Sequence, residues 1–151
     1  MIKYIIDGNN LIGKLHFLSS LQKKDKQAPR EKLALMVENY FLNKKIKVSL
    51  HFDGYENLPI NIFKTKIHYS ESKIADIKIK NEIELTKNRK NLMIVTSDNN
   101  IIEFAKVCGC KVMSSKEFAE QLTRKENDDE EKRRIDSIND NELFKKLFNV
   151  K

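Results

Sequence analysis

The stretch IKYIIDG (Ile2–Gly8) carries the pattern that decides the fold prediction: a short apolar run, rich in β-branched residues, that ends in an aspartate. Such a run, bounded by a turn residue, is typical of a buried strand. The same pattern recurs at Ile46–Phe52, which runs into Asp53-Gly54, and at Leu92–Thr96, which runs into Ser97-Asp98. Each of these three strands therefore delivers an aspartate to its carboxyl end.

Segments with helical spacing of apolar residues separate and follow these strands. They are Leu11–Leu21, a helix with Pro29 in its first turn, Lys73–Thr86 with Ser72 as its cap, Asn99–Cys108, and a helix capped by Ser115. Two more strands are expected at Ile62–Tyr69, where Lys64 and Lys66 suit a sheet edge, and at Cys110–Met113. The predicted fold class is therefore α/β, with a mostly parallel central sheet of about five strands and helices on both faces.

Length and composition fit one globular domain. Of the 151 residues, 34% are charged and 40% hydrophobic, which argues against wholesale disorder. We place the domain at residues 1–122, followed at 123–151 by a charged segment and a C-terminal amphipathic helix. Thr123–Arg134 is expected to be a solvated helix or disordered. Asp140–Val150 is expected to pack back on the domain, with binding of a partner as the alternative. The tail has as many acidic as basic residues, so the whole net charge of +7 lies in the domain and suits a polyanionic partner.

Cysteine usage and hydropathy exclude other classes. Cys108 and Cys110 are too few for a disulfide framework, and their C-x-C spacing is neither a redox motif nor half of a zinc site. No window approaches the roughly 18 consecutive apolar residues of a membrane span. Asp7 interrupts the first apolar run too early for a signal peptide. We therefore expect a cytoplasmic protein with no membrane partner.

Four aspartates are predicted to converge on one edge of the sheet. Asp7, Asp53 and Asp98 follow parallel strands, whose carboxyl ends share an edge, and open α/β sheets bind ligands there. Asp76 lies in the first turn of a helix that starts at the same edge. Because Asp76 shares a helix face with Ile79, its side chain should point inward.

Converging carboxylates repel one another and therefore need a cation or strongly raised pKa values. Hard oxygen ligands suit Mg²⁺ or Mn²⁺, which can activate water and stabilise in-line displacement at phosphorus. Asn9, Asn10 and Ser97 could order ligands or water. Each aspartate also has a purely structural interpretation: a turn at Asp7 or Asp53, a helix cap at Asp98, and the helix dipole at Asp76.

Other phosphate chemistries fit less well. The chain has neither a G-x-x-x-x-G-K-[ST] nor a G-x-G-x-x-G motif. Asn9 stands where an aspartyl-phosphate hydrolase has its second aspartate, and Gly8 breaks the acidic pair of a phospho-receiver domain. His16, His51 and His68 are scattered, so we interpret each as a structural or surface residue.

The sequence resembles a known family. The segments Ile5–Gly13 (IIDGNNLIG), His51–Tyr55 (HFDGY), Ile74–Ile79 (IADIKI) and Ile94–Ile101 (IVTSDNNI) look like successive motifs of the NYN domain. This domain has a PIN-like ribonuclease fold, and the chain is especially similar to its YacP-like bacterial subfamily. The resemblance covers roughly Ile2–Leu122, and the final amphipathic helix also looks like that of the subfamily.

The resemblance implies a three-layer α/β fold and a metal-dependent endoribonuclease that uses one or two Mg²⁺ or Mn²⁺ ions and leaves 5′-phosphate and 3′-hydroxyl products. It places Asp7, Asp76 and Asp98 at the acidic metal-site positions and Asp53 at a further acidic position. Asn10 matches the asparagine of the opening motif, and Ser97 the hydroxyl beside the last aspartate. The subfamily usually has a glutamate four residues after the helical aspartate, where this chain has Lys80, and often an aromatic residue where it has Asn9.

Our hypothesis at this stage is hydrolysis of an RNA phosphodiester at this edge, and the subfamily makes messenger RNA on the ribosome a candidate substrate. Four lysines near the edge are expected to track the RNA backbone: Lys14, Lys73, Lys78 and Lys80. The loop residue Tyr55 could stack on a base or simply anchor its loop. The rival hypothesis, motivated by Lys80, is a non-catalytic RNA- or ribosome-binding module that keeps the fold.

Overall fold

A computed structural model describes residues 1–147, with side chains as far as Asn141. Its elements alternate in the predicted way. In chain order they are β1 (Ile2–Asp7), α1 (Gly8–Ile12), α2 (His16–Gln22), α3 (Gln27–Phe41), β2 (Ile46–Phe52), β3 (Thr65–Tyr69), α4 (Ala75–Leu85), a 3₁₀ turn (Arg89–Asn91), β4 (Leu92–Val95), α5 (Asn99–Val107), β5 (Lys111–Met113) and α6 (Ser115–Leu147).

The five strands form one sheet in the order β3-β2-β1-β4-β5, and every neighbouring pair is parallel. The α/β prediction is therefore confirmed, and the sheet is wholly parallel. Strand β1 lies in the centre, because the chain adds β2 and β3 on one side of it and then β4 and β5 on the other. The crevice of such a sheet lies at this reversal, outside the carboxyl ends of β1 and β4.

Alternate residues of the strands build two separate cores. Ile6, Leu50 and Val95 face a core shared with α1, α2, α3 and α6, which contributes Phe118. Ile5 and Ile94 face the opposite core, which is filled by α4 and α5. The molecule therefore has three layers, with the sheet between two layers of helices. Within the described part of the chain, no helix is both long and apolar enough to cross a membrane.

Residues 123–147, the described part of the charged tail, are helical and belong to α6. Contacts with α3 extend along it as far as Asp129, whose Oδ2 accepts a hydrogen bond from Asn39 at 2.8 Å. Residues 130–141 are exposed. Of the two interpretations of Thr123–Arg134, the solvated helix is confirmed. The packing of Asp140–Val150 on the domain stays a prediction, because the side chains beyond Asn141 and residues 148–151 lie outside the described part.

Several predicted caps and boundaries were wrong, and at α4 a partner distant in sequence is the reason. Ser72 does not cap α4, which begins at Ala75, where the backbone N–H donates to Asp53 Oδ1 at 2.7 Å. Ser115 is the first residue of α6 and not its cap, and the hydroxyl of Ser114 accepts from the N–H of Glu117. The predicted helix Leu11–Leu21 is divided between α1 and α2.

The start of β3 also differs, because Glu38 holds the chain before the strand. Its carboxylate accepts backbone N–H groups from Phe63, Lys64 and Thr65 at 2.8–2.9 Å. Strand β3 is an edge strand as predicted, but Lys64 precedes it, and Lys66 alone of the two lysines belongs to it. Burial by itself would raise the pKa of Glu38, but the three amide hydrogen bonds outweigh it and lower this pKa.

The Glu38→Gln substitution should lower the free energy of unfolding by about 2 kcal/mol at pH 7, because one amide oxygen cannot accept from all three backbone N–H groups as the carboxylate does. Since the pKa of Glu38 is lowered in the fold, its contribution is present above the unfolded-state value of 4.5 and is lost as pH falls below it. The difference between wild type and variant should therefore shrink in acid. Urea unfolding from pH 7 to pH 3 measures it, with the exposed Glu103→Gln as control, and a pH-independent difference would contradict the charge-based account.

Candidate active site

The four predicted carboxylates meet at the carboxyl edge of the sheet. Asp7 is the last residue of β1, Asp53 follows β2, Asp76 is the second residue of α4, and Asp98 is the N-cap of α5. With Asn9, Asn10, Ile74, Ala75 and Ile101 they line a cleft of about 250 Å³. We call this space the carboxylate cleft.

Asp7 lies deepest in the carboxylate cleft and is only 8% exposed. The hydroxyl of Thr96 donates to its Oδ2 at 3.0 Å. Burial, and then the negative charges of Asp53 and Asp98, raise the pKa of Asp7 to about 6, although hydrogen bonds from Thr96 and the backbone of Asn10 oppose the shift. The fold therefore holds this carboxylate where its charge is poorly solvated.

The glycine after Asp7 is required by a close approach of two backbones. A Cβ atom at Gly8 would lie 2.6 Å from the carbonyl oxygen of His51 and 2.8 Å from the ring of Phe52. Any other side chain would push the start of α1 away from β2. Gly8 thus keeps Asp7 and Asn10 at the edge where Asp53 also lies.

Asp98 and Asp53 both bind helix N-termini with one oxygen. Asp98 Oδ1 accepts from the backbone N–H groups of Asn100 at 2.8 Å and Ile101 at 3.2 Å. Asp53 Oδ1 accepts from Ala75 at the start of α4. The structural interpretation of Asp98 as a cap is therefore correct. The second oxygen of each carboxylate takes no part in these bonds.

Asp53 is itself held from two sides. Its backbone N–H donates to Asn9 Oδ1 at 2.8 Å, and its carbonyl oxygen accepts from the buried guanidinium of Arg30. Arg30 in turn lies over the rings of Phe52 and Tyr69, 5.7 and 5.3 Å from their centroids. This loop therefore has a defined position although the Asp53 side chain is exposed.

Asp76 supplies the clearest sign of a missing partner. Its Oδ1 is buried and has no hydrogen-bond partner within the described residues. Its Oδ2 lies 4.0 Å from Nζ of Lys80, which is also 5.7 Å from the ring centroid of Phe104. A buried carboxylate oxygen without a donor is costly, and a cation would satisfy it. The all-oxygen donor set fits a hard ion such as Mg²⁺ or Mn²⁺.

Asn10 and Ser97 connect the elements around the carboxylate cleft. Asn10 Oδ1 accepts from the backbone N–H of Ser97 at 2.9 Å and from the hydroxyl of Ser115 at 2.6 Å. The hydroxyl of Ser97 accepts from the backbone N–H of Ser115 at 3.1 Å. These bonds join α1, the loop after β4 and the start of α6, so both side chains position their neighbours.

The four predicted RNA-binding lysines occupy different environments. Lys14 and Lys73 are exposed, whereas Lys78 and Lys80 are partly buried. The position of Lys80 beside Asp76 makes it a partner of the carboxylates. Lys14 lines a groove of about 480 Å³ between the segment after α1 and helix α6, together with Lys116, Glu120 and Arg124. Our sequence reasoning missed the two cations of α6.

Sequence reasoning also missed a cluster on the same face of the sheet as α4. His51, His68 and Glu82 could hold a metal ion, since one ligand atom from each lies within 4.8 Å of the others. His51 and His68 are in-register partners on β2 and β3, and Glu82 of α4 faces them. Only the strand register, which cannot be read from the spacing of the histidines, could have shown this. We call these three residues the His-Glu cluster.

Comparisons with known proteins agree with this architecture. The family model described as YacP-like NYN domain matches residues 4–150. Two crystal structures of Rae1 (YacP) from Bacillus subtilis are similar, each with a TM-score of 0.74. The W164L mutant is 22% identical, with 91% of this chain and 85% of that chain covered, and the other structure is 20% identical, with 97% and 87% covered. No curated protein matches significantly.

The Asp7→Asn substitution should stabilise the metal-free protein by about 2 kcal/mol at pH 7, because it removes a buried charge that Asp53 and Asp98 repel. The same change should abolish any stabilisation by added Mn²⁺. Thermal unfolding with EDTA and then with Mn²⁺ measures both effects, and Asp128→Asn on the exposed part of α6 serves as control. A metal-free variant less stable than wild type would contradict the repulsion inferred here.

Proposed function

This chain belongs to the YacP-like NYN domain family, and we propose that it is a metal-dependent endoribonuclease that hydrolyses RNA phosphodiester bonds. The observation that carries the proposal is the buried, unpartnered Oδ1 of Asp76 in a cleft with three other carboxylates. A structural role alone would leave that oxygen without compensation, whereas a divalent cation satisfies it.

Asp7, Asp76 and Asp98 would hold one or two Mg²⁺ or Mn²⁺ ions, with Asp53 contributing through the oxygen that does not bind α4. Such an ion supplies a water of lowered pKa and stabilises negative charge on the phosphate. The chain itself orients the carboxylates. Thr96 holds Asp7 by Oδ2, and the amides of α5 hold Asp98 by Oδ1. Asn10 and Ser97 act as positioning residues, because they fix the loops that carry these ligands.

Charge and shape around the carboxylate cleft suit a nucleic acid backbone. The net charge of +7 attracts polyanions, while Lys14, Lys73 and Lys78 offer phosphate contacts near the cleft. The separate groove beside Lys14 adds the cations Lys116 and Arg124 of α6, with Glu120 between them. Tyr55 is 61% exposed in the loop after Asp53 and is available for base stacking. The substrate we propose is messenger RNA on the ribosome. This substrate implies a cytoplasmic location.

One observation favours a second function, a non-catalytic RNA- or ribosome-binding module. Lys80 stands where the subfamily usually has a glutamate, and its ammonium lies 4.0 Å from Asp76. A fixed positive charge at this position neutralises part of the carboxylate cluster without a metal ion. The same cation would then weaken metal binding and leave an RNA-binding surface behind.

Asp98→Asn should abolish cleavage of single-stranded RNA in Mn²⁺ or Mg²⁺. The fold should persist, since asparagine is as good an N-cap as aspartate. A gel assay of labelled RNA measures the rate, circular dichroism checks folding, and Asp128→Asn serves as the matched control. Cleavage by Asp98→Asn at the wild-type rate would show that the metal assignment is wrong. If wild type and variant are both inactive while salt-sensitive RNA binding persists, the binding module is the correct function.

Lys80→Glu should strengthen Mn²⁺ binding about tenfold or more and raise the cleavage rate, because it replaces a competing cation with a further oxygen ligand. Without metal, the same variant should be less stable than wild type, since a negative charge is added beside Asp76. Calorimetric titration with Mn²⁺ and the RNA assay measure these effects. Lys87→Glu makes the same charge change at the exposed segment after α4 and should alter neither. Unchanged Mn²⁺ affinity in Lys80→Glu would show that residue 80 does not control the cleft.

A further inference from the structure

The His-Glu cluster occupies a place where an apolar core is expected. The face of β2 that packs against α4 carries Ser49 and His51, which are 1% and 3% exposed. Helix α4 meets the sheet with Ile79 and Ile83 but turns Glu82 toward this pair. Burying polar and ionisable groups together is expensive unless they are paired or bind a ligand.

Glu82 is oriented so that one of its oxygens is aimed at His51. Its Oε2 accepts hydrogen bonds from the hydroxyl of Ser49 at 2.6 Å and from Nζ of Lys3 at 2.7 Å. Its Oε1 lies 2.7 Å from Nε2 of His51. Burial would raise the pKa of Glu82, but the hydrogen bonds from His51, Lys3 and Ser49 outweigh it and lower this pKa to about 2. The carboxylate is therefore anionic. Ser49 and Lys3 bind one of its oxygens and orient the other, as hydrogen-bond partners commonly orient a metal ligand.

His68 completes the cluster with a nitrogen that has no partner. Its ring stacks on that of His51, with centroids 4.6 Å apart and an interplanar angle of 11°. Its Nε2 is buried and makes no hydrogen bond within the described residues. Burial, and then the neighbouring His51, lower the pKa of His68 to about 4, so the ring is neutral at pH 7. A neutral imidazole is the form that binds metals.

We propose that His51, His68 and Glu82 form a second metal site, which takes a divalent transition metal of the Zn²⁺ class and is separate from the carboxylate cleft. Two imidazoles and one carboxylate are a donor set that suits Zn²⁺ better than Mg²⁺. The buried, unpartnered nitrogen of His68 is explained by such an ion, and by no contact among the described residues.

Metal binding requires a small rearrangement of the three ligand side chains. Zinc bonds to nitrogen and oxygen are about 2.0–2.2 Å long, which places the ligand atoms of a tetrahedral ion about 3.4 Å apart. His68 must therefore approach the other two ligands, while His51 Nε2 and Glu82 Oε1, now 2.7 Å apart, must separate slightly. The ion would take the place of the hydrogen bond between His51 Nε2 and Glu82 Oε1, and both atoms would become ligands. His68 must turn out of its stack, and its partial exposure leaves a fourth position for water. The ion would then connect β2, β3 and α4.

The test is a Co²⁺ titration of the full chain in excess Mg²⁺, which occupies an oxygen-only site. We expect one equivalent of Co²⁺ to bind with tetrahedral absorption and without thiolate charge-transfer bands, which excludes Cys108 and Cys110. His68→Gln should weaken Co²⁺ binding at least about tenfold, and His68→Phe, which keeps a stacked ring, should do the same. Asp98→Asn should bind Co²⁺ like wild type, so this result is independent of the proposed nuclease.

Three results would overturn the second site. They are an absence of Co²⁺ binding to wild type, binding that His68→Phe leaves unchanged, and binding that only Asp98→Asn abolishes. The thermal unfolding of each metal-free variant provides the folding check. If His68→Gln and His68→Phe unfold with the midpoint of wild type and still bind Co²⁺ equally, His51 and Glu82 form only a buried hydrogen bond beside a stacked histidine pair.

Discussion

Repulsion among four carboxylates in a cleft of about 250 Å³ is the constraint on which much of this structure depends. Hydrogen-bond donors with partial positive charge, and not buried cations alone, offset this repulsion. Backbone amides at the start of α5 and α4 donate to Asp98 and Asp53, and the hydroxyl of Thr96 donates to Asp7. Helix N-termini are natural binding sites for anions. The N-termini of α4 and α5 therefore stabilise the carboxylates, and the same hydrogen bonds fix where the two helices begin.

The pattern of apolar residues was sufficient to predict the strands and the edge of the sheet where the aspartates meet. Both follow from short apolar runs that become parallel strands. The pattern was insufficient wherever the partner is distant in the chain. Asp53 binds the start of a helix 22 residues later, so a tertiary contact takes the role predicted for Ser72. Ser115 binds Asn10, 105 residues away, while its neighbour Ser114 accepts from the N–H of Glu117. The His-Glu cluster was missed for the same reason, since it exists only through the register of β2 with β3.

A shared fold leaves the chemistry of the cleft to single side chains. The chain belongs to its family over nearly its whole length, while the solved structures that resemble it are only 20–22% identical. Between such sequences the backbone persists, but the electrostatic field at the cleft does not have to. Lys80 illustrates this, because one ammonium 4.0 Å from Asp76 changes the local charge by two units relative to a glutamate there. Fold membership alone therefore does not determine metal affinity.

Helix α6 has a mechanical consequence. Its 33 residues contain neither proline nor glycine, so it is about 50 Å long and stiff. Its first residue, Ser115, is hydrogen-bonded to Asn10 and Ser97 beside the cleft, whereas residues 130–141 extend into solvent. One end of the helix is therefore anchored beside the cleft, and the other end is exposed to solvent. A force applied to its outer half is transmitted first to the contacts with α3 between Phe118 and Asp129, and through them to the hydrogen bonds that hold the loops around the four carboxylates.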